Sequence, residues 1–276
     1  MASHYKIFLM IKVIIKLCPV FIFSSWTVSL SEAQSLSPEE NHPRSSYSEY
    51  SEQEIAAQVA AVRKSRPQMH RGGWQWDRLL ERYIDSGRKD PNELKILRAY
   101  LVSILDRYQE AKNRGDEINF TLFYNHRSWG SGGRMRIYEE LTKQNMLTED
   151  EKRNFRALVL HSLRANFKDY AALERGVNNR PYGINGGPAL AVRMFSQHPN
   201  SVRHKAWLDA LWRELIEYGD TTETNYYPYG PLYLQGLIDM AYGMNKFQTD
   251  RKFLYSHFRR YLYYMHGGGV RGNPNS

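Results

Sequence analysis

The chain has 276 residues, of which 42% are hydrophobic, 24% charged and 13% aromatic. This is a globular composition, long enough for one large domain or two small ones. The formal net charge of +9 favours polyanionic partners such as nucleic acid, anionic lipid or acidic polysaccharide, although the basic residues are scattered among acids.

Residues 1–33 have the pattern of a secretory signal peptide. Lysines punctuate an apolar run, a cleaner apolar stretch covers residues 17–26, and Ser31-Glu32-Ala33 supplies small residues for cleavage after Ala33. We therefore expect a secreted or periplasmic protein, which argues against a nucleic-acid partner; an uncleaved membrane anchor is the alternative. No later segment is apolar enough to span a bilayer. The single cysteine, Cys18, lies inside this signal, so the mature chain has no disulfide, thiol nucleophile or cysteine–zinc site.

After the signal, the sequence predicts a disordered linker over residues 34–51 and an all-α domain over residues 52–276. The linker is rich in Ser, Glu and Pro, with almost no aliphatic residues. From Glu52 onward, apolar residues recur with the 3.6-residue period of helices, and no comparable stretch alternates with the period of strands. Asp90-Pro91-Asn92-Glu93 and Thr148-Glu149-Asp150-Glu151 each have the pattern of a helix start.

The predicted helices follow one another as antiparallel hairpins, stacked as a solenoid or a closed ring. Between them we predict glycine-rich loops, in which the backbone turns sharply or approaches a ligand closely. Loops of one type on one scaffold favour a shared cleft. The four segments are Arg71–Trp74, Trp129–Gly133, Gly183–Gly187 and Gly267–Gly269.

The segment from Gly219 to Tyr233 is the richest in groups that bind sugars. It contains Asp220, Glu223 and Asn225 among closely spaced tyrosines, and ten of the twenty tyrosines of the chain lie between Tyr218 and Tyr264. A tyrosine has a flat apolar ring and a polar tip, which suit a sugar-binding groove. The alternative is structural: the tyrosines cover helix ends and the acids cap the next helix.

Three further segments carry candidate polar groups. Asn178 to Gly187 combines amides and Arg180, which can grip a carboxylate, with a glycine-rich turn. Tyr124 to Gly130 contains His126, which titrates near neutral pH or caps a helix, and His266 to Asn275 contains Arg271. The sequence has no Walker-type loop, dinucleotide fingerprint or His-Glu-x-x-His zinc motif, and two acids are too few for calcium, so we expect no cofactor and no metal.

Asn179-Arg180, Tyr226-Tyr227 and the segment from His266 to Arg271 carry a resemblance to a known family. The stretch from Asn178 to Asn275, about a third of the chain, resembles the α/α-toroid polysaccharide lyases and is most similar to polysaccharide lyase family 38, which acts on alginate- and glucuronan-type polyuronates. The resemblance implies β-elimination at a uronic acid, with an acidic polysaccharide as the partner.

The resemblance also implies roles for individual residues. The groups that bind and neutralise the substrate carboxylate are Asn179, Arg180, Glu223 and Arg271. The acid/base candidates are Tyr227 and Tyr233, with His126 as a second base. The other sugar-binding candidates are Asn225, Tyr226 and Trp129. A tyrosine acts as a base only when a nearby cation stabilises its phenolate, because a free phenol has a pKa of about 10.

One feature departs from the family. The family's toroid needs more helices than the sequence predicts here, and the chain stops at Ser276 just after a glycine-rich segment. We therefore expect an N-terminal portion of a toroid, with an incomplete site if a catalytic tyrosine follows. The alternatives to a lyase are a non-catalytic carbohydrate-binding protein, a hydrolase on an α/α barrel, which needs two acids across one cleft, and a structural helical-repeat protein. The sequence does not indicate an oligomeric state.

Overall fold

The described part of the chain consists of α-helices joined by short turns, which confirms the predicted all-α class. The computed structural model describes residues 51–65, 73–88, 91–117, 120–123, 131–169, 179–218 and 229–263, and it contains no strand among them. The helices are α1 (Glu52–Ser65), α2 (Gly73–Asp85), α3 (Pro91–Asn113), α4 (Ser131–Lys143), α5 (Glu149–Asp169), α6 (Asn179–Met194), α7 (Pro199–Tyr218), α8 (Tyr229–Gly243), α9 (Lys246–Thr249) and α10 (Arg251–Tyr263).

The predicted capping box at the start of α5 is present. The backbone N–H of Thr148 donates to Glu151 Oε2 at 2.8 Å, and the N–H of Glu151 donates to Thr148 Oγ1 at 3.2 Å. These bonds satisfy two of the backbone donors that a helix start leaves unpaired. The helix α3 begins at Pro91, as the sequence predicts.

The prediction of loops at the glycine-rich segments was wrong wherever the structure describes them. Gly73 is the first residue of α2, Ser131 to Gly133 form the first turn of α4, and Gly183 to Gly187 lie inside α6. Within the tyrosine-rich segment from Gly219 to Tyr233, α8 begins at Tyr229. The physical reason is packing: a helix accepts glycine when the lack of a side chain lets another helix come close.

Helices α2, α4, α6 and α8 form one layer, in which each helix packs against the next. Residue numbers rise together along α6 and α8, because Gly236 lies against Tyr182 and Gly243 against Ala189. The same order holds for α4 and α6, where Ser131 lies against Gly187 and Glu139 pairs with Arg193. It also holds for α2 and α4, where Asp77 lies against Gly133 and Arg88, just after α2, bonds to Glu140. The helices of this layer therefore run parallel. The α6–α8 contact is the most extensive among the described helices, because at Gly236 and Gly243 a Cβ would overlap the backbone of α6.

Helices α1, α3, α5 and α7 form a second layer against the first. The two layers run in opposite directions: Trp76 of α2 stacks on Tyr100 of α3 with ring centroids 4.6 Å apart, while Arg82 of α2 pairs with Glu93 of α3. Within the second layer, Arg98 of α3 bonds to Glu151 of α5 at 2.6 Å. The core lies between the layers and contains fully buried side chains such as Leu97, Leu101, Ile104, Met135, Ile137, Phe155 and Leu158.

Candidate functional site

Two carboxyl groups meet at the first turn of α4. The carboxyl of Asp239, from α8, lies against Gly132, and the carboxyl of Asp77, from α2, lies against Gly133. A Cβ at either glycine would overlap the neighbouring carboxyl, so a larger residue there would displace that carboxyl. The start of a helix has unpaired N–H groups and a partial positive charge, which favour carboxylates beside it.

A guanidinium completes this group, which we name the Asp–Arg–Asp cluster: Asp77, Arg136 and Asp239. Arg136 Nε, one turn further along α4, lies 3.8 Å from Asp239 Oδ1. Burial raises the pKa of Asp239 above its ordinary value, and Arg136 and a hydrogen bond from Gln235 oppose that rise. Burial works to lower the pKa of Arg136, but Asp239 and Asp77 outweigh it and raise that pKa, so Arg136 stays cationic.

Asp77 is the member of the cluster that titrates near neutral pH. The pKa of its carboxyl is raised to about 7, mainly by burial. Within that net value, Arg136 and Arg134 act to lower the pKa, and Asp239 and Glu81 act to raise it. A carboxyl with this pKa can both give and accept a proton at neutral pH, as general acids and bases in enzymes do. The cluster therefore combines one proton-exchanging carboxyl with a second carboxyl beside a permanent cation.

Helix α4 starts later along the shared helix direction than its neighbours α6 and α8. Ser131, the first residue of α4, is level with Gly187 of α6, and Gly132 is level with Asp239 of α8. Because α6 begins at Asn179 and α8 at Tyr229, both helices extend roughly 12–15 Å beyond the start of α4. The Asp–Arg–Asp cluster thus lies at the start of α4, and the first turns of α6 and α8 project past it.

A second polar pair lies near the start of α8. Tyr233 Oη and His257 Nε2, from α10, are 2.8 Å apart, and both side chains are buried. The ring of Tyr182, from the first turns of α6, packs edge-on against Tyr233 with centroids 5.3 Å apart. Tyr182 itself donates to the carbonyl of Leu211 at 3.1 Å, and its pKa is raised, mainly by burial, so it stays protonated.

The residues predicted from sequence fall into three groups. Tyr233 is described and is enclosed in the contact with His257. Asn179 and Arg180 form the start of α6, with side chains outside the described part. The others lie outside the described residues: His126, Trp129, Glu223, Asn225, Tyr226, Tyr227 and Arg271.

The sequence reasoning missed Asp77, Arg136, Asp239 and His257. A signal for Asp239 was present: it is the single acid of α8, the most apolar of the helices, between Ile238 and Met240. A charged residue in such a stretch is buried and needs a partner. No sequence signal identifies the partner, because α8 and α4 are brought together only by the packing of α6 between them.

Comparison of the chain with models of protein families, with curated proteins and with solved structures found no match. Among the described residues, no helix has both the length and the apolar character to cross a membrane. The same residues include no group of three or more His, Cys, Asp or Glu side chains arranged to hold a metal ion.

Proposed function

We propose that this chain is an exported α/α-toroid lyase, or part of one, which cleaves a uronic-acid polysaccharide by β-elimination. The observation that carries the proposal is the contact between Tyr182 and Tyr233. It joins two segments that the sequence separates by about fifty residues: the one beginning Asn179-Arg180 and the tyrosine-rich one that ends at Tyr233. The first two turns of adjacent helices thus contain Asn179 and Arg180, two of the predicted carboxylate-binding residues, and Tyr233, one of the two predicted acid/base tyrosines.

The arrangement of the helices supports the toroid part of the proposal. A toroid of helical hairpins needs one layer of parallel helices packed against a second layer that runs the other way. Helices α2, α4, α6 and α8 run parallel, and α3 runs opposite to α2. A layer of parallel helices has its helix starts at one end, and in this proposal the substrate binds at that end.

The proposed reaction needs three groups. Asn179 and Arg180 bind the carboxylate of the sugar, which withdraws charge from the ring and makes the proton on C5 more acidic. A base removes that proton, the C4–O bond breaks as the C4–C5 double bond forms, and an acid protonates the departing glycosidic oxygen. The reaction adds no water, so the new end of the chain carries an unsaturated sugar.

Because Tyr233 is fully buried, the two candidate tyrosines have different proposed roles. A side chain with no exposed surface does not contact a polymer, so we assign Tyr233 to positioning the start of α8 through its bond to His257. Tyr227 is then the acid/base candidate that contacts the sugar, with His126 as the second base. Arg180 or Arg271 supplies the positive charge that lowers the pKa of the phenol.

A hydrolase is the second candidate, and the Asp–Arg–Asp cluster favours it. Hydrolysis of a glycosidic bond needs one protonated and one ionised carboxyl. Asp77, with its pKa of about 7, fits the acid. Arg136, 3.8 Å from Asp239, favours the ionised form of the second carboxyl, whereas burial raises the pKa of that carboxyl and opposes ionisation. The low exposure of Asp239 counts against this reading, because the polymer must reach both groups.

Incubation of the protein with alginate or glucuronan tests the proposal. A lyase produces an unsaturated sugar, which absorbs ultraviolet light, and Tyr227→Phe should abolish that product. Tyr83→Phe, in the last turn of α2 at the opposite end of the layer from the helix starts, should not. New reducing ends without absorbance, lost in Asp239→Asn, would favour the hydrolase. Binding of oligosaccharides without any product would favour a non-catalytic binding protein and would refute both enzymes.

A further inference from the structure

Helix α10 has a strongly basic exposed face. Its exposed residues recur at helical spacing on one side and include four cations, one serine and one tyrosine, which we name the α10 stripe: Arg251, Lys252, Tyr255, Ser256, Arg259 and Arg260. The helix contains no acid. Leu254, His257 and Phe258 form its opposite, buried face.

Three of the four cations in the α10 stripe have no acidic partner among the described residues, whereas several surface cations on other helices are paired. On α5, Lys152 pairs with Glu149 and Arg153 with Asp150, and on α7, Lys205 pairs with Asp209. On α10, no ion pair or hydrogen bond joins the side chains of Lys252, Arg259 or Arg260 to any described residue. Like charges on neighbouring turns repel, so this face gains from binding an anion.

The stripe has the length and composition to hold a linear polyanion. Lys252 and Arg259 lie about 10 Å apart along the helix axis, so the stripe is long enough to contact more than one charged unit of such a polymer. Tyr255, 55% exposed between these cations, presents an aromatic ring that can pack against the apolar face of a sugar. A membrane surface fits less well, because amphipathic helices that bind lipid expose a broad apolar face, and the apolar face of α10 is buried.

The stripe also lies close to the proposed site. His257, on the buried face of α10, bonds to Tyr233 near the start of α8, so one helix diameter of about 10 Å separates the two faces. We infer that the α10 stripe is a second binding surface for an acidic polysaccharide, which holds the polymer beside the starts of α6 and α8. The nature of the ligand rests on the proposed function, whereas the stripe itself does not.

Binding of sodium alginate to the full chain tests this inference. In the stripe variant Lys252→Ala/Arg259→Ala/Arg260→Ala we expect the Kd to rise about tenfold, from several exposed contacts of a fraction of a kcal/mol each. The control is Lys95→Ala/Lys112→Ala/Arg114→Ala, which removes the same charge from exposed residues on and just after α3. Equal weakening in both variants would show that net charge alone acts and would overturn the inference.

A second measurement needs no variant. Alginate should protect Lys252 of the unmodified chain from acylation, while Lys95 and Lys112 react as before. Equal protection of all three lysines would refute a specific surface, as would binding of a DNA oligonucleotide or phosphatidylserine vesicles with no binding of alginate. Dextran, which is neutral, should not bind.

The product assay separates this inference from the proposed function. If alginate yields no unsaturated sugar but the stripe variant loses binding, the lyase proposal fails and the second surface stands. If product forms and the stripe variant binds as tightly as the control, the reverse holds.

Discussion

The carboxyl group of Asp239 lies against the backbone of Gly132, although α6 stands between α8 and α4 in the layer. Gly186 of α6 permits this contact, since a Cβ there would lie 2.8 Å from the Cβ of Asp239. Both glycines, which were predicted to lie in loops, therefore act as packing residues. They bring a charged group of one helix to the positive end of another.

Gly132→Ala should destabilise the protein. In an ordinary helix, this substitution gains about 1 kcal/mol, but here the new methyl group meets the carboxyl of Asp239, and overpacking of this kind costs about 1–3 kcal/mol. Urea unfolding measures the change in the free energy of unfolding. The double variant with Asp239→Ala should show coupling, because removal of the carboxyl frees the space. A Gly132→Ala protein as stable as the parent would contradict the packing described.

The parent protein should lose stability as the pH rises from 4 to 8, and Asp77→Asn should lose less. The pKa of Asp77 is about 7 in the folded protein and about 4 in an unfolded chain, so its contribution is present below pH 4 and is lost as pH rises through 7. The variant, which cannot ionise, should match the parent near pH 4 and melt several degrees higher near pH 8. Thermal melts across this range measure the difference. Glu81→Gln, one turn along the same helix, is the matched control and should show a smaller change.

The sequence predicted the helices better than the way they pack. Helical periodicity and the Thr148–Glu151 capping box are local signals, and α3 and α5 begin where those signals lie. The glycines were misread because a glycine is ambiguous: it marks a turn when the backbone bends and a close contact when two helices meet. Only the partner helix decides between these, and the partner of Gly186 is Asp239, on a helix far away in the sequence.

The candidate site was predictable only in part, for the same reason. Tyr233 was recognised within a local run of tyrosines, but its partner His257 lies on α10 and has no sequence feature that links the two. Asp77 and Asp239 belong to helices at opposite ends of the first layer. Their shared site depends on the parallel packing of α2, α4 and α8 with α6, which a single sequence does not reveal.

His204→Gln should make the fold less sensitive to mild acid. Burial lowers the pKa of His204 to about 4, against about 6.5 in an unfolded chain. The stability that this neutral histidine allows is therefore present above pH 6.5 and is lost as pH falls towards 4, by about 3 kcal/mol in all. Urea unfolding at pH 7.5 and pH 4.5 should show a smaller difference in the variant. His161→Gln, at a half-buried histidine of α5, is the control, and an equal effect there would contradict the assignment to His204.

Tyr233→Phe should lower stability even though the ring stays in place. The substitution removes the hydroxyl that lies 2.8 Å from His257 Nε2, and loss of one partner from a buried hydrogen bond costs about 1–3 kcal/mol. Tyr255→Phe is the matched control, because that ring is 55% exposed and water replaces its lost bonds. The difference in the free energy of unfolding between the two variants isolates the buried bond.

Tyr233→Phe also tests the role given to Tyr233 in the proposed lyase. If Tyr233 positions the start of α8, Tyr233→Phe should slow product formation without abolishing it, and the pH at which the rate is half-maximal should stay where it was. A phenol that itself exchanges the proton cannot be replaced by a phenyl ring, so its loss would leave no measurable rate at any pH. If the Tyr233→Phe variant remains folded but makes no product, Tyr233 and not Tyr227 is the acid/base residue.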